Sequence, residues 1–246
     1  GNANLFGSLW MIAAMAVFAI EDALIKALSA TLPMGQIMII FGSFGAVLFA
    51  LIARSKGQSL RNPDVLSKPM RIRAGFEITG RLFYFLALAM IPLSAATVIL
   101  QATPLVVVAG AAIVFGEQVG WRRWTAIFIG LAGVLIILQP GSDGFSALSI
   151  LAVIGMLGFA GRDLASRAAP ASLSATVLGV YGFLAVVVAG VAFALWDQAP
   201  FVRPDSQTAT YLLGAIVAGV AAYTCLMTAM RAGDVSAVTP FRYTRL

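Results

Sequence analysis

The sequence has no histidine and one cysteine, Cys225. Without an imidazole there is no Ser-His-Asp triad, no histidine metal ligand and no histidine proton relay. A single cysteine excludes any disulfide within the chain, and Cys225 lies in an apolar run where it reads as a small core residue. Charge is scarce too: charged residues are 11% of the 246, where a soluble domain usually carries about 25%. No Gly-rich phosphate loop, G-x-S-x-G or EF-hand pattern is present.

Apolar residues fill the space these absences leave, at 61% of the chain. A water-soluble globule of this composition would expose much of its apolar surface, and a bilayer removes that cost. The wealth of Ala, Gly, Val, Leu and Ile suits membrane helices that pack closely through small residues. The formal net charge is +6, yet the basic residues sit mainly in short segments between apolar runs. That is the signature of membrane orientation rather than of nucleic-acid binding.

A helix needs about 20 mostly apolar residues to cross the hydrocarbon core. Eight runs reach or approach that length: 5–28, 35–53, 73–90, 93–115, 124–138, 147–168, 175–195 and 209–230. A ninth starts near Val235 and is cut off at Leu246. The first run is too long for a signal peptide and lacks a cleavage site, so a retained helix is expected. The opening Gly1 suggests a trimmed end. Breakers separate the runs at Ile91-Pro92-Leu93, Pro140-Gly141-Ser142-Asp143-Gly144, Pro200 with Pro204, and Ala232-Gly233-Asp234.

If every run crosses, one side receives ten basic residues: Arg54, Lys56, Arg61, Lys68, Arg71, Arg73, Arg122, Arg123, Arg167 and Arg231. The other receives two, Lys26 and Arg203, with Asp143, Asp197 and Asp205. This asymmetry places the N-terminus in the cytoplasm.

The chain also resembles itself. Phe18-Ala19-Ile20-Glu21-Asp22 parallels Phe159-Ala160-Gly161-Arg162-Asp163, and Lys26 parallels Arg167, at an offset of 141. Ser94-Ala95-Ala96-Thr97 parallels Ser236-Ala237-Val238-Thr239 at 142. A unit of five helices is odd, so the two copies would enter the membrane in opposite orientation. Inverted repeats of this kind build secondary transporters with a midplane site between the halves. The expected division is residues 1–141 and 142–246, and the counterpart of Glu117 would fall at 259, past Leu246. The chain therefore reads as truncated within the ninth of ten helices.

Several segments are similar to the drug/metabolite transporter superfamily, EamA type. They are Ala87-Leu88 with Ile91-Pro92-Leu93-Ser94-Ala95-Ala96, Thr103-Pro104, Phe115-Gly116-Glu117, and the stretch from Gly130 to Pro140-Gly141. The second copy shows Ala229-Met230, Val235-Ser236-Ala237 and Thr239-Pro240. The resemblance implies an all-α polytopic membrane protein of two inverted five-helix repeats. It also implies a central cavity lined by helices one to four and six to nine, and transport of metabolites or drugs, often by proton exchange. One departure concerns helix two, where many members carry an Arg and this chain has Phe41 or a neighbour.

A charge within a membrane helix costs about 2.5–3.5 kcal/mol on insertion scales, so such residues face a cavity or a partner. Glu21 and Asp22 are adjacent and point about 100° apart, so one of them, Glu21, is the expected cavity residue, as a cation or proton site. The alternative is a structural ion pair. Glu77 and Arg81 share a face at i,i+4, with Tyr84 one turn on, either as a self-neutralising pair or as substrate contacts. Arg162 and Asp163 occupy the repeat positions of Glu21 and Asp22, an arrangement that would suit a zwitterion. Gln101 precedes Thr103-Pro104, where Pro104 frees a backbone carbonyl and can kink the helix. Arg242 and Tyr243 follow Pro240 and could dock an anionic group, with Arg245 paired within the bundle. Trp10, Trp121, Trp124 and Trp196 read as interfacial anchors. Gly155, Gly158 and Gly161 read as a close-packing stripe.

A secondary transporter of a small organic solute, amino-acid-like or otherwise polar, fits these features best. Its expected partners are that substrate, the lipid bilayer, protons as coupling ion and a second copy in a homodimer, with no cofactor, no metal and no nucleic acid. The inner membrane is the expected location. A channel would need a filter that the sequence does not display. An intramembrane enzyme would need two facing acids, for which Asp22 and Asp163 are the one tempting pair.

Overall fold

The computed structural model describes residues 2–138 and 146–245, and among these every regular element is helical. In chain order they are α1 (Asn2–Leu28), α2 (Met34–Ser55), α3 (Lys68–Met90), α4 (Leu93–Leu100), α5 (Thr103–Phe115), α6 (Trp121–Leu138), α7 (Ser149–Ala168), α8 (Ala175–Asp197), α9 (Ser206–Ala232) and α10 (Val235–Val238). Short 3-10 helices follow α2 (Pro63–Leu66) and α10 (Thr239–Arg245). The breaker at 140–144 lies outside the described residues. Six spans among the described residues are long and apolar enough to cross a bilayer, counting α4 and α5 together as one. The chain is a polytopic α-helical membrane protein.

Two expected runs come out differently. The fourth is broken into α4 and α5 at Gln101-Ala102. Pro104 has no N–H to offer the carbonyl of Leu100, and the Thr103 hydroxyl donates to that carbonyl instead. The third run begins at Lys68 rather than 73, so Arg71 and Arg73 belong to the helix rather than to the connection. Polar N-caps fix two later starts. Ser174 Oγ accepts from Val177 N (3.2 Å) and Asp205 Oδ1 from Thr208 N (2.7 Å).

Three antiparallel helix pairs make the bundle: α1 against α9, α2 against α8, and α3 against α7. Glycine sets their separation. A Cβ on Gly158 would lie 2.5 Å from Gly80 Cα, and one on Gly155 would lie 2.8 Å from Tyr84 N, so α3 and α7 touch backbone to backbone. Gly35 and Gly42 of α2 meet Ala194 and Val187 of α8 in the same way. Gly7 and Gly214 mark the two ends of the α1–α9 seam, against Ala229 and Leu24 respectively.

One end of the bundle gathers the N-terminus and the basic connections. Asn4 Oδ1 accepts from Asp234 N (3.0 Å), Arg231 Nη2 donates to Pro170 O (3.1 Å), and Ser174 Oγ bonds Gln58 Oε1 (2.9 Å). At the opposite end Lys26 Nζ donates to Ile91 O (3.0 Å), and Gln36 exchanges two bonds with the backbone of Val202. The basic segments therefore share one end, as the loop count requires. The outward surface carries Phe44, Leu51, Ile113, Ile129 and Leu213, while Glu21, Asp22, Arg73, Glu77, Arg81, Arg162, Asp163 and Arg242 are buried inside. This inside-out distribution is that of a protein solvated by lipid.

Candidate functional site

Most of the buried charges meet in one bonded network at the middle of the bundle. Arg81 Nη1 pairs with Glu21 Oε1 (2.7 Å) and Arg81 Nε with Glu77 Oε1 (3.2 Å). The same Glu77 oxygen accepts Arg162 Nη1 at 3.5 Å, and Arg162 Nε pairs with Asp163 Oδ1 at 2.7 Å. Arg242 Nη2 bonds the other Asp163 oxygen. A second arm joins Arg245 to Asp22 through Nη2 (2.6 Å) and Nε (3.0 Å), with the Tyr84 hydroxyl donating to Asp22 Oδ2 (3.3 Å). The Tyr223 hydroxyl donates to Glu77 Oε2 (2.8 Å) and accepts from Arg73 Nη2. Arg73 also donates to Ser166 Oγ (2.8 Å) and Leu178 O (3.0 Å).

Arginine suits this setting because its flat guanidinium can bond in plane and lie over rings at once. The Arg81 carbon sits 5.6–5.9 Å from the rings of Phe18, Phe41, Phe85, Phe159 and Phe183. Arg162 lies 4.7 Å from Phe159, and Arg245 lies 4.9 Å from Phe18. At separations within about 6 Å a ring face attracts a cation. Phe41, at or next to the position where the family resemblance sets an Arg in helix two, thus faces a cation contributed by α3.

A cavity of about 20 Å³ opens in this network, room for roughly one water. Its lining comes from α1 (Met15, Phe18, Asp22), α3 (Arg81, Tyr84), the α4–α5 break (Leu100, Gln101, Thr103), α7 (Phe159, Arg162), α9 (Leu226) and the last 3-10 helix (Arg242, Arg245). Helices α2 and α8, expected at the cavity, do not line it. Their glycine-bearing faces are spent on each other.

The nine expected site residues fall into three groups. Arg81, Tyr84, Gln101, Arg162 and Arg242 line the cavity. Glu21, Glu77 and Asp163 are buried and bonded to those arginines, but are not among the lining residues. Tyr243 packs its ring where a Cβ on Gly130 would sit, against α6. Of the adjacent acids on α1 it is Asp22, not Glu21, that reaches the cavity wall. Asp22 and Asp163 each bond their own arginines, which leaves no acid pair to share a proton. Arg73 and Tyr223 were missed. Arg73 lies five residues into α3, where a long side chain still reaches the interior. Tyr223 stands 142 residues after Arg81, the same offset as between Ser94 and Ser236, which is the signal that could have found it. Among the described residues no group of His, Cys, Asp and Glu is arranged to hold a metal ion.

A small cavity walled by arginines inside a lipid-solvated bundle offers donors to a polar or anionic group. Comparison with known proteins supplies the class. Residues 5–139 match the EamA-like transporter family, and the chain belongs to it. The pseudopaline exporter of Pseudomonas aeruginosa is 32% identical over 219 residues, covering 85% of this chain and 72% of the exporter. The riboflavin transporter of Vibrio cholerae is 28% identical, covering 98% of this chain and 82% of that protein. The S-adenosylmethionine uptake transporter of Rickettsia prowazekii is 22% identical over 98% of this chain and 81% of its own length. A solved crystal structure superposes with a TM-score of 0.77 at 21% identity, covering 99% of this chain and 84% of that one, which speaks for the fold alone. The protein is a multi-pass inner-membrane transporter of small molecules, not an enzyme.

Proposed function

We propose that the chain is a secondary carrier that moves a small polar organic metabolite across the inner membrane by alternating access. The observation that carries this reading is the arginine-walled cavity, to which α1 and α3 contribute from one half and α7, α9 and the last 3-10 helix from the other. The halves, 1–141 and 142–246, act as inverted repeats that rock about the site. Two features support this. Exchanging the halves turns the α1–α9 pair into α7–α3 and returns α2–α8 to itself, which is the pairing present. Thr97 Oγ1 donates to Leu93 O (2.7 Å), and its repeat partner Thr239 donates to Val235 O (2.6 Å). The basic end faces the cytoplasm with the N-terminus.

Glu21 is the proposed proton carrier. Its Oε2 is buried without a hydrogen-bond partner while Oε1 holds Arg81. Protonation of Glu21 would loosen Arg81 from α1 and free it for substrate, tying proton entry to loading. In proteoliposomes, Glu21→Gln should abolish flux driven by a pH gradient while leaving substrate exchange measurable. Unchanged driven flux would reject the role.

A further inference from the structure

We infer that the substrate of this site bears a carboxylate, gripped between Arg81 of α3 and Arg242 of the last 3-10 helix; the inference rests on the transport reading above. Two observations meet here. The first is the sign of the cavity wall. Four of its side chains are arginines, Arg81, Arg162, Arg242 and Arg245, and its single acid is Asp22. The balancing carboxylates of Glu21, Glu77 and Asp163 bond the arginines but are not among the lining residues. An occupant therefore meets guanidinium groups first.

The second observation is unfinished bonding. Arg81 Nη2 and Arg242 Nε are buried with no hydrogen-bond partner, and both residues line the cavity. A buried charged donor left unpaired is costly, so the site favours an occupant that accepts from both. A carboxylate has two acceptor oxygens in one plane, the geometry that guanidinium groups match. A simple cation has no counterpart offer. Asp22 is already held by Arg245 and Tyr84, and the free oxygen of Glu21 is not at the cavity wall. The volume of about 20 Å³ holds roughly one water, so the carboxylate and the rest of the metabolite need the bundle to open.

Arg81 belongs to the first half and Arg242 to the second, so one bound carboxylate would bridge the elements that must move. The carboxylate is then both the recognition element and the tie between the halves.

The test is a transport panel in proteoliposomes with folded protein. Succinate, L-glutamate and L-histidine represent carboxylates; succinamide, putrescine and glycerol 3-phosphate represent the amide, the amine and the phosphate. Transport should be confined to carboxylate members. Arg242→Gln should lower it about tenfold or more, the loss of one charge-assisted contact, with Arg242→Lys retaining part. Succinamide, putrescine or glycerol 3-phosphate moving as fast as the carboxylates would overturn the carboxylate assignment and leave the carrier intact. If no member moves, the transport reading itself fails, and this one with it. Should Arg242→Gln fail to fold, the wild-type panel alone decides.

Discussion

At the centre of the bundle Arg81 bonds Glu21 and Glu77 with side chains at most 2% exposed. At the basic end Arg123 bonds Asp234 at 3.0 Å, with side chains 32% and 51% exposed. Beside that pair the Glu117 carboxylate accepts the backbone N–H groups of Val235 and Ser236, each at 3.1 Å, and so caps α10 from the far side of the α5–α6 turn. The chemistry is the same in both places and the surroundings differ. In water an ion pair exchanges one set of good contacts for another and contributes little. In the bundle interior each charge depends on its partners, because removing one strands the rest. The inner network ties α1, α3, α7 and the last 3-10 helix together; the outer pair joins α6 to the turn before α10 and can be broken at small cost.

Arg81→Gln should test this contrast hardest. It strands Glu21 and leaves Glu77 with Arg162 and Tyr223 alone, so about 3–5 kcal/mol of stability should go, read as thermal unfolding in detergent, and flux should vanish. Adding Glu21→Gln to Arg81→Gln should restore part of the stability and none of the flux. Tyr223→Phe should come next. It takes a donor from Glu77 and an acceptor from Arg73, at about 1–3 kcal/mol, with the fold retained. Glu117→Ala leaves the start of α10 uncapped and should cost about 0.5–2 kcal/mol, visible as faster hydrogen exchange at Val235 and Ser236. Arg123→Ala should be mildest, about 0–1 kcal/mol and smaller still in high salt. If Arg123→Ala proved as damaging as Arg81→Gln, burial would not be what separates the two regions.

Much of this was legible in the sequence, for physical reasons. Apolar runs report membrane helices because lipid offers the backbone no hydrogen bonds, so length and composition nearly suffice. The basic connections reported their common end. Charges inside the runs reported a buried site, and Glu21, Glu77, Arg81, Arg162, Asp163 and Arg242 do converge in one network. What stayed hidden was rotation and reach. The sequence could not say that Asp22 rather than Glu21 meets the cavity, because that depends on how α1 is turned against α9. Nor could it pull Arg73 out of the basic loop segment, because α3 starts at Lys68 with Pro69 in its first turn, a start that hydropathy does not mark. Tyr223 carries no charge and so does not stand out in the sequence, although it lies 142 residues after Arg81.

The most direct measurement of the central claim is counterflow in proteoliposomes loaded on one side with a transported carboxylate. A carrier that exposes one arginine-walled site alternately should show saturable flux, accelerated by substrate on the opposite side, and Arg162→Gln should abolish both in protein that still folds. Flux that rises linearly without saturation, or that survives Arg162→Gln unchanged, would contradict an alternating carrier built on this network.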